Sequence, residues 1–282
     1  MALMLACGVL SLVGIVLIAV WGGVGVVPPA ATASGGRVAT ALRRYLWWAS
    51  LVVTTGLVTG VLVAGAGGRL IMRLLAATSP DAHGSLTEAG ETVGRITVGG
   101  TLGFLYFGAL PLAFLASSAF AVVYRWLPRG RLAGLLFGLL LLVAASTRLE
   151  PLRSDNPDFH LLGPAWVALV TFGLLVLTDG MATAAVMGWY STRLPLAQRG
   201  RRVLTRYLLT AAALVVAGPA GLLVLAAATV GAGLVALVAL IAPSVSGWWL
   251  SNRTRVVGRI LLAGGALLAL PGFVSAIDDI HP

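Results

Sequence analysis

Carboxylates in a short polar segment are the first candidates for chemistry in this sequence. Glu88 and Glu91 stand three residues apart, and Arg95 follows four residues later. On a helix all three side chains would share one face, where a carboxylate pair beside a guanidinium could bind a cation or orient a substrate. Ser85, three residues before Glu88, completes a capping-box pattern, so we expect a helix to begin near Ser85. The spacing equally fits a helix cap followed by an ordinary Glu91–Arg95 ion pair.

A second polar segment contains Asp155, Asp158 and His160 within six residues. Hard carboxylate oxygens and one imidazole could together hold a divalent cation. The alternative is a turn, with Asp158 capping the helix that follows. If the two polar segments meet, their carboxylates and His160 would form one acidic patch.

Asp179 is the third candidate, because it lies inside a long apolar run, ten residues before Trp189. An ionised carboxylate at the centre of a membrane helix costs about 2.5 to 3.5 kcal/mol, so such residues are often functional. A neutral, protonatable Asp179 near Thr178 and Thr183 could relay protons. Alternatively, Asp179 and Gly180 end a shorter helix at the inner membrane interface.

The elements that must position these residues are apolar runs long enough to cross a membrane. The 282 residues are 59% hydrophobic and 10% charged, far from the average of globular proteins. The sequence predicts one integral membrane domain over residues 1–282, an all-α polytopic bundle of about eight spans. These spans run about Leu3–Val27, Tyr45–Ala66, Ile96–Tyr124, Leu132–Thr147, Leu161–Tyr190, Tyr207–Ala228, Leu234–Leu250 and Ile260–Ile277. The sixth and seventh share an uncharged stretch, and we expect their turn near Thr229 to Gly233.

Arginine distribution predicts the orientation of the bundle. Fourteen of the nineteen arginines fall in alternate loops, which the positive-inside rule places in the cytoplasm. The polar segments of Glu88 and Asp155 then face outward, and so do both termini. The first span also fits a signal peptide, cleaved after Ala31-Thr32-Ala33.

Composition excludes several classes of function. The sequence has no lysine, which removes a Walker-type phosphate loop and a Schiff-base lysine. The single Cys7 cannot form an intrachain disulfide, and no motif predicts a cofactor. The net charge of +10 is explained by topology rather than by nucleic acid. The expected partners are the lipid bilayer and anionic lipid headgroups at the arginine-rich inner face.

Two stretches resemble an uncharacterised family of bacterial multi-pass membrane proteins. They are Thr78-Ser79-Pro80 through Thr87–Gly94, and Asp155–Phe159 followed by Leu161–Pro164. The similarity covers roughly residues 66 to 190. It implies a bacterial plasma membrane protein and transfers no functional residue.

Three function classes follow from these residues. The first is a small permease or ion-handling protein with the outer carboxylates as its access site and Asp179 as a proton carrier. The second is a membrane-embedded enzyme that uses the outer carboxylates as acid, base or metal ligands. The third is a non-catalytic scaffold. A cavity from the outer loops to Asp179 would favour transport, a closed outer pocket an enzyme, and a dry bundle a scaffold.

Overall fold

The fold is known from a computed structural model that describes residues 1–29, 36–197, 201–242 and 251–280, the side chains at 160 and 201–204 excepted. The chain is 78% helical, and no strand forms among the described residues. Six of the described helices are long and apolar enough to cross a membrane. The predicted all-α class is thereby confirmed, and several helices are suited to crossing a membrane, while the number of crossings and their orientation stay predictions.

Six of the eight predicted apolar runs each correspond to one helix, whereas the sixth run falls on two helices and the seventh shares the second of these and extends beyond the described residues. The bounds are α1 Ala2–Trp21, α2 Arg37–Thr78, α3 Val98–Val123, α4 Arg131–Ala144, α5 Asp158–Leu161, α6 Ala165–Ser191, α7 Arg201–Val216, α8 Gly218–Ile241 and α9 Asn252–Ile280. Helix α2 continues twelve residues past the predicted span end at Ala66, because Ala66–Thr78 remains helical.

The bundle has two chemically distinct ends. We call the end formed by residues 79–97 and 145–164 the loop end, and the end formed by residues 124–130 and 192–197 the arginine end. Trp47 Nε1 donates to the Leu194 carbonyl (2.8 Å) at the arginine end, where a Trp21–Trp189 ring stack also lies (3.9 Å).

Both chain ends lie at the loop end. Met4 shares a cavity with Arg73, and Ile280 packs with Leu75 and Leu152. The first and last described helices therefore have their outer ends on the same side of the bundle, while the orientation of that side in a membrane stays a prediction.

Helices α4 and α6 pack through small residues. A Cβ added to Gly134 would come within 2.8 Å of the Met181 Cα, and one added to Gly138 within 2.8 Å of the Leu177 carbonyl. Glycine permits this approach, which dispersion stabilises in lipid. The contact holds α6, and with it Asp179, rigidly against α4.

The predicted turn at Thr229–Gly233 is wrong, because α8 runs unbroken through it. The chain reverses instead at Gly218, whose φ of +54° is favourable only for glycine. In α7, Thr210 Oγ1 lies 3.5 Å from Thr54 Oγ1 of α2. In α8, the Ala228 carbonyl accepts from Tyr45 Oη of α2 (2.8 Å). Helices α7 and α8 therefore form a hairpin along α2.

The predicted helix from Ser85 is also wrong. The chain from Ser85 to Thr97 is irregular, with one isolated bridge between Leu86 and Thr92. Gly90 and Gly94 have φ values of +74° and +81°, which break a helix. Helix α3 is capped instead by Thr97, whose side chain accepts from the Gly100 amide (2.9 Å).

Two π-helical turns interrupt the long helices side by side. They span Gly60–Gly65 in α2 and Phe104–Ala109 in α3. The α3 turn directly precedes Pro111, which has no amide hydrogen to donate to the Phe107 carbonyl. A Cβ on Gly65 would come within 2.8 Å of the Leu105 side chain, so the two turns are in contact.

Candidate functional site

The two loop-end segments meet at Arg153. Its guanidinium forms ion pairs with Glu88 of the other segment, with Glu150 (3.6 Å) and with Asp155 (2.7 Å). These carboxylates raise the pKa of Arg153, led by its hydrogen bond to Glu88. The two segments therefore meet, because Arg153 pairs with one carboxylate of the other segment and with two of its own.

Asp158 makes the second link between the segments. Its Oδ1 accepts a hydrogen bond from the Glu88 amide (2.9 Å), and its own amide donates to Asn156 Oδ1 (2.8 Å). Asn156 thus closes the turn that precedes α5, while the Asp158 carboxylate accepts from the other segment. Partial burial raises the pKa of Asp158, and the Glu88 amide opposes that rise.

Glu150 lies beside Arg153, facing the interior of the bundle. Burial raises its pKa, Arg153 lowers it, and Glu88, Asp155 and Asp158 raise it again. A carboxyl group in these surroundings is more easily protonated than one in water, because desolvation disfavours its charge.

Glu91 and Arg95 do not join this cluster. The Glu91 carboxyl lies against the start of α3, where a Cβ on Gly100 would come within 2.7 Å of it. That position is favourable for an anion near a helix N-terminus. The predicted Glu91–Arg95 ion pair is absent from the ion pairs of the described residues.

The predicted cation site of Asp155, Asp158 and His160 is not assembled among the described residues, which contain no group of three metal-ligating side chains. Asp155 binds Arg153, and Asp158 binds a backbone amide. The side chain of His160 lies outside the described residues, so this site stays a prediction.

A cavity of about 550 Å³ extends from the loop end into the bundle. Glu88, Glu150 and Asp158 line its mouth, and Asp179 lines its floor. Its walls are mostly apolar. They include Leu112, Leu115, Phe104, Phe172, Leu175 and Leu141. The cavity therefore joins the two candidate regions that the sequence named separately.

Asp179 lies in the middle of the continuous helix α6, so it does not end a shorter span. Its side chain is 9% exposed, and Oδ1 has no hydrogen-bond partner among the described residues. Ten residues separate it from Trp189, about 15 Å along the helix. A buried carboxyl group without a partner is costly in a fold, so it requires an explanation.

Buried threonines accompany Asp179 along the α2–α6 contact. Thr183 lies one turn away on α6, and Thr55 and Thr59 are one turn apart on α2. All three hydroxyls are buried and lack a hydrogen-bond partner among the described residues. The centre of the bundle thus holds polar groups that a bound ligand or proton could satisfy.

Sequence reasoning missed Glu150 and Arg153, the pair that completes the mouth of the cavity. The available signal was the charge pattern of Arg148, Glu150, Arg153 and Asp155, in which one arginine stands among acids. That pattern resembles an ordinary solvated loop, and only the contact with Glu88 gives it meaning.

No protein-family model matches this chain, and neither the curated proteins nor the solved structures include a similar one.

Proposed function

We propose that this protein is a small membrane permease that binds an amphiphilic cation in the cavity between the loop end and Asp179. The observation that carries the proposal is the continuity of this cavity, with carboxylates at its mouth and an unpartnered carboxyl group at its floor.

The chemistry of the cavity favours this substrate class. Apolar walls bind the hydrophobic body of a substrate, and carboxyl groups at the mouth attract its positive charge. At the floor, an isolated carboxylate in low dielectric is costly, so Asp179 holds either a proton or a cation. Exchange of one for the other at the Asp179 carboxylate would couple substrate movement to proton movement.

The two π-helical turns support a transport role. Ala64 of the first turn and Phe104 and Ala109 of the second line the cavity. Such turns are less tightly hydrogen-bonded than α-helix and are frequent at functional sites. They offer α2 and α3 a place to bend when the cavity changes access.

The two other classes have weaker support. An enzyme that uses the outer carboxylates as metal ligands would need an assembled ligand set, whereas the described residues contain no group of three metal-ligating side chains. A scaffold would be expected to have a closely packed interior, whereas this bundle contains a cavity of about 550 Å³.

We further propose the predicted orientation in a bacterial plasma membrane, with both termini and the loop end outside. The arginine end then faces the cytoplasm and anionic lipid headgroups. Eight helices lie in the bilayer. Of these, α7 runs only about 14 Å from Tyr207 to Val216, roughly half of a 30 Å bilayer core. The α7–α8 hairpin accordingly enters and leaves from the cytoplasmic side.

Ethidium, a fluorescent hydrophobic cation, is the probe for this proposal. We expect the purified protein to bind ethidium. In proteoliposomes with an imposed proton gradient, we expect it to transport ethidium in exchange for protons. Asp179→Asn keeps the size of the side chain but removes its charge, so it should weaken ethidium binding about tenfold, a loss of about 1.4 kcal/mol, and abolish proton-coupled movement.

Thr178→Val is the matched control, since Thr178 adjoins Asp179 but is only partly buried, and its hydroxyl donates to the Leu174 carbonyl of its own helix. It should retain both activities. Equal ethidium binding by wild type and Asp179→Asn would contradict the proposal, as would a wild-type protein that binds no ethidium.

A further inference from the structure

A second cavity, of about 510 Å³, lies at the loop end between α1, α2 and the start of α3. We infer that it binds a phosphate group carried on an apolar body, such as the phosphodiester of a membrane lipid. The inference is independent of the transported cation, because it rests on residues outside the Asp179 floor.

Three arginines supply the charge for this site. Arg69, Arg73 and Arg95 all line the cavity, the first two one helical turn apart on α2. Arg73 Nη1 donates to the Gly94 carbonyl (3.5 Å), which holds the loop of Arg95 close to α2. Guanidinium groups suit phosphate because their planar N–H donors match two of its oxygens at once.

These arginines have no acidic partner in the part of the chain that the structure describes. Arg69 Nη1 donates to the sulfur of Met72 (3.7 Å), and its Nε is buried without a hydrogen-bond partner among the described residues. A buried, unsatisfied guanidinium nitrogen is costly, and an anion in the cavity would relieve that cost.

Two acidic side chains also lie in the cavity wall. Asp158 accepts from the Glu88 amide, and the Glu91 carboxyl lies close to Gly100 at the start of α3. Three arginines facing two carboxylates leave the cavity with a net positive charge. It therefore selects an anion, whereas the neighbouring cavity, with its carboxylates, selects a cation.

The apolar part of the wall argues for a ligand with a hydrophobic body. Phe104, Phe107 and Met4 line the cavity, and the Phe107 side chain is 75% exposed on the outer surface of α3. Arg69 lies in the C-terminal part of α2, a helix long and apolar enough to cross a membrane. The site thus combines headgroup-level cations with an apolar surface that continues into the lipid.

Native mass spectrometry of the full-length protein in detergent tests this inference. With phosphatidylglycerol as the probe, we expect the wild type to bind one lipid tightly. The triple variant Arg69→Gln, Arg73→Gln, Arg95→Gln should bind this lipid with an affinity at least about tenfold lower. Diacylglycerol, which has the apolar chains but no phosphate, should not occupy the site.

Competition distinguishes the two sources of phosphate. Displacement of the lipid by glycerol 3-phosphate at low concentration would assign the site to a soluble phosphate ester, and failure to displace it would assign the site to a lipid. Arg148→Gln is the control, because Arg148 is also at the loop end but donates to the Ala144 carbonyl outside this cavity.

Single-residue Arg95→Gln keeps the test valid if the triple variant does not fold, since Arg95 is exposed and should affect stability little. Unchanged phosphatidylglycerol binding by folded variants would overturn the inference. Equal binding of phosphatidylglycerol and diacylglycerol by the wild type would overturn it as well.

Discussion

Arg153 is the residue on which the mouth of the cavity depends. It is the cation shared by Glu88, Glu150 and Asp155, and its pair with Glu88 links the two loop-end segments. We expect Arg153→Gln to lower the Tm of the purified protein by a few degrees, measured by fluorescence-monitored unfolding in detergent. Arg148→Gln, which removes a cation of the same loop that is hydrogen-bonded to a backbone carbonyl, should leave Tm nearly unchanged.

The loss caused by Arg153→Gln should grow with pH. Burial raises the pKa of Glu150, so its folded form prefers the proton, and stability falls as pH rises from the ordinary pKa through the folded one. Arg153 opposes that rise, and its removal raises the pKa of Glu150 further. The Tm difference between wild type and variant should thus be larger at pH 8 than at pH 5. A difference independent of pH would contradict this role.

Asp179 could be identified as a candidate functional residue from the sequence alone. A carboxyl group within an apolar run is identifiable without a structure, because its cost in lipid is known. Arg153 shows the converse, since its importance comes from a contact with Glu88 that is 65 residues away in sequence. Such a contact depends on the path of both loops, which neither loop specifies alone.

Among the elements, the α4–α6 contact is sensitive to substitution at its glycines. Gly180 faces the backbone of Gly138 so closely that a Cβ there would overlap the Gly138 Cα and amide nitrogen. Since backbone cannot move aside as a side chain can, Gly180→Ala should destabilise the fold by about 1–3 kcal/mol or more. We expect a lower Tm and a loss of monodisperse protein in size-exclusion chromatography.

Gly265→Ala is the matched control for this prediction. Gly265 lies within α9, and an added Cβ would meet nothing within 4 Å. Alanine is the better helix former, so this variant should keep or raise Tm. If Gly180→Ala and Gly265→Ala behaved alike, the close packing of α4 on α6 would be wrong.

Apolar length predicted the helices well, and local turn signals predicted the connections poorly. The apolar runs reappear as helices because burial of backbone polar groups in lipid leaves the chain little choice. The turn at Gly218 and the irregular chain after Ser85 were missed. In both, a glycine with positive φ overrides a pattern that also fits a helix. Their conformation follows from packing against Tyr106 and against the loop of Asp158.

At the scale of the whole molecule, the two cavities lie next to each other at the loop end, one on each side of Asp158, and both are lined by charged residues. This residue lines both cavities, and so does Phe104. Among the described residues, four carboxyl groups and no arginine line the first cavity, whereas three arginines and two carboxyl groups line the second. An amphiphilic cation and an anionic lipid would then lie side by side at one end of the bundle, each against groups of opposite charge.

The sidedness of the bundle is the remaining prediction. Asp279 is exposed near the loop end and Arg129 is exposed at the arginine end, while Cys7 is the single cysteine of the chain. In a Cys7→Ala background, Asp279→Cys should react with a membrane-impermeant maleimide on intact bacterial cells. Arg129→Cys should react only after the membrane is permeabilised. If the chain crosses the membrane an even number of times between residues 81 and 279, Asp81→Cys in the 79–97 segment should react in the same way as Asp279→Cys. Labelling of Arg129→Cys in intact cells would invert the orientation and place the mouth of the cavity in the cytoplasm.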